Sequence, residues 1–310
     1  MNLKTQFSSH INVLASRTQV INCVFTHCYD SNHGGAIFVN SLPAIFICLM
    51  SAFSNCRSDG YGGAICVFYS NHSRFRSNCF DMCSGLSASI LIWGHFQSNN
   101  YVEFNLSHEY YITQSHSSCI LGTTSALVLH NNFSRSQYSS HVAGFTIGTG
   151  IEQTAMDFCQ VANAIGKFFF SVQNSKTGVN PCLSRINFVN VTATQSFLFF
   201  AHYSTNPLFA NCLFLINSQV GLVSYQNCNG NPQFICCAFS IPFDSTLYSS
   251  IQTPSNIFNV SNLQYHTFPT LDTYNCWNDN LFISTKNYQH YSHKVLLEFA
   301  ILELIPIVMI

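Results

Sequence analysis

Charged side chains are scarce in this sequence: they make up 7% of its 310 residues, with 11 Lys and Arg against 12 Asp and Glu. The usual share is about a quarter. A net charge of −1 spread so thinly provides no basic stripe for phosphates, which excludes nucleic acid as a partner. The shortage is not that of a disordered chain, which joins high charge to low hydrophobicity. Here 47% of residues are apolar, and Ser, Asn, Thr, Gln and His fill the places that charge leaves.

Acidic residues are too few to suggest catalysis. Glycoside hydrolysis uses two carboxylates about 5–10 Å apart, and lyase chemistry adds a basic group. Asp30, Asp59 and Asp81 stand at offsets of 5, 6 and 1 from Phe25, Phe53 and Phe80, so they do not align in one cluster. Asp272 and Asp279 lie beyond the clear repeats. The expectation is isolated turn carboxylates, no enzyme activity, no catalytic residue and no cofactor.

Helical patterning is missing too: no amphipathic stretch of about 10–12 residues separates the apolar runs. Residues Met1 to His10 carry one basic side chain and no apolar run of about 7–15 residues behind it, so they are not a secretory signal. The chain is then intracellular, exported by another route, or a fragment without its true start. The one long apolar run is Val295 to Ile310, interrupted by Glu298, Glu303 and Pro306. It falls short of the roughly 20 residues of a membrane span. Two readings stand: a segment folded back over the open strand edges of the last coil, or a truncated membrane anchor.

What the sequence does contain is a repeat. Phe25-x-x-Cys28-x5-Gly34-Gly35-Ala36-Ile37-x-Val39 recurs as Phe53-x-x-Cys56-x5-Gly62-Gly63-Ala64-Ile65-x-Val67, offset by 28 residues at every matched position. A third copy, Phe80-x-x-Cys83 followed by Ser87 to Leu91, keeps the frame and loses both glycines. Phenylalanines continue at 104, 133, 158, 188, 214 and 239, a mean period of about 27 residues. After each comes a short β-favouring run, with Ser125–His130 placed later than the others, and Asn, Ser, Gly and Pro punctuate between them. A fixed period of this size marks a solenoid, and a unit of 27 residues is too short for a crossover with a helix, which takes about 30 or more. The remaining architecture is a coil of strands and turns, all-β, a right-handed parallel β-helix of about nine coils. Its expected parts are an N-terminal segment or cap (1–19), the β-helix (20–240), an irregular continuation (241–294) and the apolar tail (295–310). Stacking predicts an internal ladder of Phe25, Phe53 and Phe80 beside a thiol ladder of Cys28, Cys56 and Cys83. The paired glycines mark a tight turn or a close approach to the next coil.

The chain has 15 cysteines and 13 histidines. Cys23 and Cys28 with His27 and His33, and Cys79 with Cys83, come nearest to a zinc pattern. They follow the repeat register instead of the two tight pairs that such a site uses, so no metal is expected. Stacked Cys28 and Cys56 have parallel Cβ vectors, which suits buried free thiols better than a disulfide. The odd count leaves at least one thiol outside any internal pairing. Sequons at Asn71, Asn105, Asn132, Asn190 and Asn259 support secretion only weakly in so Asn- and Ser-rich a chain.

Phe-x-x-Asn and Gly-Gly-Ala-Ile are paired signatures of polymorphic outer-membrane protein repeats, and residues 23–67 resemble them, with a looser likeness to 93 and an architectural one to about 240. Here Cys28, Cys56 and Cys83 replace the Asn, which among the recurring phenylalanines follows only Phe214, as Asn217. The resemblance implies a surface-displayed or membrane-associated β-helix that binds a protein or glycan ligand in adhesion, with any membrane contact through the C-terminal tail. A pectin-lyase-like carbohydrate-active enzyme and a decayed paralogue are the alternatives.

Overall fold

A computed structural model describes residues 5–15, 17–76, 78–85, 90–94, 102–104, 116–123, 126–129, 132–134, 142–149, 154–157, 159–166, 168–174, 182–193, 197–202, 207–216, 221–226 and 233–240. All lie in the first of two compact units, 1–271 and 272–310. The irregular continuation and the apolar tail expected from the sequence fall outside the described residues.

The described residues are all strand and turn, with no helix among them, and every pairing between strands is parallel. They form a parallel β-solenoid whose turns each run across three faces. On the first face Thr5–Phe7, Cys23–Thr26, Ala52–Ser54 and Cys79–Asp81 stack in that order. Asn132–Ser134, Gln160–Ala162, Asn187–Ala193, Leu213–Ile216 and Ala238–Phe239 hold the corresponding place in later turns. The second and third faces share one large sheet, because Ile37–Leu49 and Ile65–Arg76 each bend from one face onto the next. Residues 37–39 pair with Ile11–Val13, and residues 45–49 with Arg17–Ile21. The count of turns differs from the nine expected. About four can be followed around, beginning at Thr5, whereas the later ones are described as separate strands.

Register follows from the inward apolar row, since a slip of one residue would turn that row to solvent. Phe7, Phe25, Phe53 and Phe80 face their counterparts with ring centroids 4.8, 4.9 and 4.8 Å apart and planes within 13° of parallel. The spacing is that of neighbouring strands, about 4.8 Å, so backbone pairing alone brings the rings into stacking contact. Phe188, Phe214 and Phe239 repeat the arrangement at 5.1 and 4.8 Å.

The ladder departs from its sequence reading in two places. Phe104 pairs in register with Val128, and so stands on the third face, on a row that continues through Met156, Leu183, Phe209 and Phe234. The rung between Phe133 and Phe188 is Val161, whereas Phe158 lies outside the described residues. The late run at Ser125–His130 has the same explanation. Ala126–Leu129 is a third-face strand, and the second-face strand of that turn is His116–Thr123. The two aromatic rows meet edge to face inside the solenoid, Phe209 on Phe214 at 6.2 Å and Phe234 on Phe239 at 5.8 Å.

The first and third faces end at corners of one design. The residue two after the rung takes a left-handed backbone: His27, Asn55, Met82, Asn163 and Asn190 after the first face, and Asn22, Met50, Arg185, Asn211 and Cys236 after the third. Asn tolerates this conformation better than most residues, which accounts for its frequency there. The backbone bonds between turns continue through the bend, with His27 N–H on Ser54 O and Asn211 N–H on Ile235 O, both at 2.9 Å. The next residue is often a buried cysteine. Cys56 shares its S–H between Phe25 O of the preceding turn at 3.7 Å and Ser54 O of its own at 3.5 Å. Cys28, Cys83, Cys159, Cys212 and Cys237 do the same at their corners. A thiol there links two turns and still behaves as a small buried hydrophobe.

The glycine pairs divide their labour. Gly34 and Gly62 sit at φ +61° and +67°, and a Cβ on either would lie about 2 Å from the carbonyl oxygen three residues on. At Gly35 a Cβ would meet the carbonyl oxygens of Arg57 and Gly63, both at 2.3 Å, so the next turn leaves no room for it.

Phe53→Ala removes the middle ring of the first ladder and is expected to lower stability by about 3–5 kcal/mol in urea unfolding. A loss under about 1 kcal/mol would show that the ring lies outside a packed core. Gly62→Ala is expected to destabilise as well, against the gain that Ala brings where φ is negative.

Candidate interaction surface

The loops leading into the second face, residues 31–36 and 59–64, stack on each other and carry the densest group of polar and aromatic side chains described. Asp30 begins the first. Its Oδ1 accepts the backbone N–H groups of Asn32 at 2.7 Å and His33 at 3.0 Å, an Asx turn that fixes the loop. From the preceding turn His10 Nδ1 donates to Gly34 O at 2.8 Å, with Nε2 3.8 Å from Asp30 Oδ2. One turn on, Tyr61 N–H donates to His33 Nδ1 at 3.1 Å. The His33 ring is therefore neutral, its proton on Nε2.

His33 and Tyr61 occupy equivalent positions, 28 residues apart, and stack at 5.2 Å with planes 12° apart. Phe38 and Phe68 point outward from the second face and close on this pair. Phe68 meets His33 edge-on at 5.2 Å, Tyr61 at 6.5 Å and Tyr69 at 6.1 Å, and Phe38 meets Phe68 at 5.4 Å. Beneath them Cys66 and Leu91 are buried in a small cluster separate from the main core. Tyr61 and Tyr69 nevertheless remain 37% and 43% exposed. On the other side of the loop Tyr29, 53% exposed, donates its hydroxyl to Asp59 Oδ2 at 2.5 Å. Arg57 donates to Asp59 Oδ1 at 3.3 Å.

Asp30 and Asp59 are closer than their offsets suggested, for Asp59 N–H donates to Asp30 O at 3.2 Å. The solenoid brings them to successive turns with Arg57 beside one of them. Asp30 spends Oδ1 on its own loop, and both oxygens of Asp59 accept bonds from Tyr29 and Arg57. The arrangement offers fixed acceptors beside exposed rings. Nothing in the spacing pointed to it except the recurrence of a ring at positions 33 and 61.

The remaining repeat positions face inward. Phe25, Phe53, Phe80, Cys28, Cys56 and Cys83 are buried. The metal pattern comes apart in the same way: Cys28 points to the core, His27 is exposed at a left-handed corner and His33 belongs to the aromatic group. Among the described residues no group of three or more His, Cys, Asp or Glu is placed to hold a metal. Burial pushes the thiols of Cys48 and Cys66 upward, and Cys28 is raised first by its contact with Cys56 and then by burial. A thiol held protonated and out of solvent is a poor nucleophile. Of the sequons, Asn190 is exposed at its corner and donates to Asn163 Oδ1 at 2.6 Å. No helix among the described residues is long and apolar enough to cross a membrane.

Two measurements follow from these environments. Alkylation of the native protein with peptide mapping is expected to label the exposed Cys236, and Cys28, Cys56, Cys66 and Cys83 only in denaturant; equal labelling would contradict their burial. Burial lowers the pKa of His33 below its ordinary 6.5, and Asp30 only partly offsets this. The unfolded chain therefore binds the proton more readily, so the stabilisation is complete above about pH 6.5 and is lost as pH falls through 6.5 toward the lowered value. Thermal unfolding is expected to show a larger fall on acidification in the native sequence than in His33→Gln, which accepts the Tyr61 bond without titrating. Identical falls would contradict the assignment.

Compared with protein-family models, with curated proteins and with solved structures, the chain finds no match.

Proposed function

We propose that this is a non-enzymatic interaction protein, a surface-displayed β-helix of the polymorphic outer-membrane protein type, acting in adhesion or in contact with extracellular ligands. The observation that carries the reading is the exposed Tyr61 and Tyr69, both packed against Phe68, on a solenoid with few charged residues. Large rings held in place by one another lose little freedom on binding, and aromatic residues are favoured in contact surfaces for that reason. The left-handed Gly34 and Gly62 and the stacked Phe25, Phe53 and Phe80 give the signature residues of the resemblance a structural role. A corner that accepts Cys in place of the family's Asn removes one objection to it.

The carbohydrate-active alternative draws on one specific observation, the approach of Asp30, Asp59 and Arg57. It needs a carboxylate available for proton transfer, whereas Asp30 Oδ1 holds its loop and Asp59 accepts from both Tyr29 and Arg57. Incubation with neutral and acidic polysaccharides is expected to release no new reducing or unsaturated ends.

Purified chain, fluorescently labelled, is expected to bind intact cells saturably, and Tyr61→Ala with Tyr69→Ala to reduce binding about tenfold or more. Failure to bind any cell surface, together with antibody staining of the source cell only after permeabilisation, would overturn the reading.

A further inference from the structure

We propose that the aromatic group at residues 29–69 receives a neutral sugar ring. The proposal rests on the reading of the chain as a binding protein and names the chemistry of its ligand.

A pyranose offers a flat face of C–H bonds and a rim of hydroxyls that both donate and accept. Its complement is an exposed aromatic face beside acceptors and donors already fixed in position. Tyr61 is braced by His33 behind it and by Phe68 at its edge, and keeps 37% of its surface in solvent. Asp59, two residues away, is an exposed carboxylate held between Tyr29 and Arg57. Arg57 is the more exposed partner, at 68% of its side chain, and has donors beyond the one on Asp59. Acceptor, donor and ring are thus assembled before a ligand arrives, which reduces the ordering cost of binding.

The same residues disfavour other ligands. An extended peptide adds to a free sheet edge, and here Ile37–Leu49 and Ile65–Arg76, which carry Phe38 and Phe68, already have partners on both sides. A lipid surface calls for basic residues around the apolar group, and the flanking charges are Asp30 and Asp59 against Arg57. That excess of one negative charge repels uronates and sulfated chains as well. A neutral sugar meets neither objection.

Saturation-transfer NMR and calorimetry on the full chain test this with cellohexaose, xylohexaose and chitohexaose against oligogalacturonate and a heparin hexasaccharide. At least one neutral oligosaccharide is expected to bind saturably, and the two anionic ones are not. Tyr61→Ala is expected to weaken binding about five- to tenfold, and Tyr61→Phe, which keeps the ring, to preserve it. Should Tyr61→Ala unfold, Asp59→Asn serves instead and is expected to weaken binding with the ring in place. Absence of binding by every neutral sugar, preference for the anionic ones, or binding unchanged by Tyr61→Ala or by Asp59→Asn would overturn the proposal. Cell binding that survives enzymatic removal of surface glycans would overturn the sugar ligand alone, whereas loss of all cell binding would remove the interaction reading with it.

Discussion

Parallel hydrogen bonding between successive turns is the constraint on which the rest of this protein depends. Strands held about 4.8 Å apart place each side chain against the one a full turn away, so the sequence is required to be compatible with itself at that offset. Phenylalanine satisfies the demand by stacking, as in Phe25 on Phe53 at 4.9 Å and 3°. Cysteine satisfies it by bridging carbonyl groups of two turns, and Asn by bending the chain at the corners. A charged residue would meet a like charge one turn on, at a distance where repulsion is costly. The shortage of Lys, Arg, Asp and Glu is therefore in keeping with the architecture. Opposite charges do meet between turns: Glu103 faces Arg74 in register, and Asp157 pairs with Arg185 of the neighbouring turn.

The first ladder was legible because two turns match at every motif position and each carries the glycines its loop requires. The third face was not, and the reason is physical. Ile37–Leu49 passes from one face to the next through Asn40 to Pro43 without leaving the sheet, so residues that read as punctuation between repeats lie inside one bent strand whose second half belongs to another face. Both kinds of corner also use the same device, a rung, a left-handed residue two later and a buried residue after it. Phe209-x-x-Cys212 and Phe234-x-x-Cys237 therefore look like Phe53-x-x-Cys56, although they belong to another face. Phe209 and Phe234 share the 25-residue offset of Phe214 and Phe239 but stand five residues ahead of them, and that second series was the signal that two ladders run side by side. Phe104 was assigned to the wrong row by the same ambiguity.

The aromatic group was harder to see because its members belong to no motif. His33 and Tyr61 are loop residues brought together by the glycine turns, while Phe38 and Phe68 are outward positions of strands chosen for their inward faces. Their meeting depends on the loops of residues 31–36 and 59–64; in sequence the third copy of the repeat lacks both glycines and about two residues of that loop. Those loops hold Asp30, His33 and Asp59 together outside the core.

The central claim is that like meets like across adjacent turns. A double-mutant cycle in urea, combining Phe25→Leu with Phe53→Leu, tests it most directly, because only rings in contact couple. Stacked neighbours are expected to show a coupling of about 0.5–1.5 kcal/mol. Additive effects, within about 0.3 kcal/mol, would mean that the two rings do not touch and that the turns are not stacked in this register.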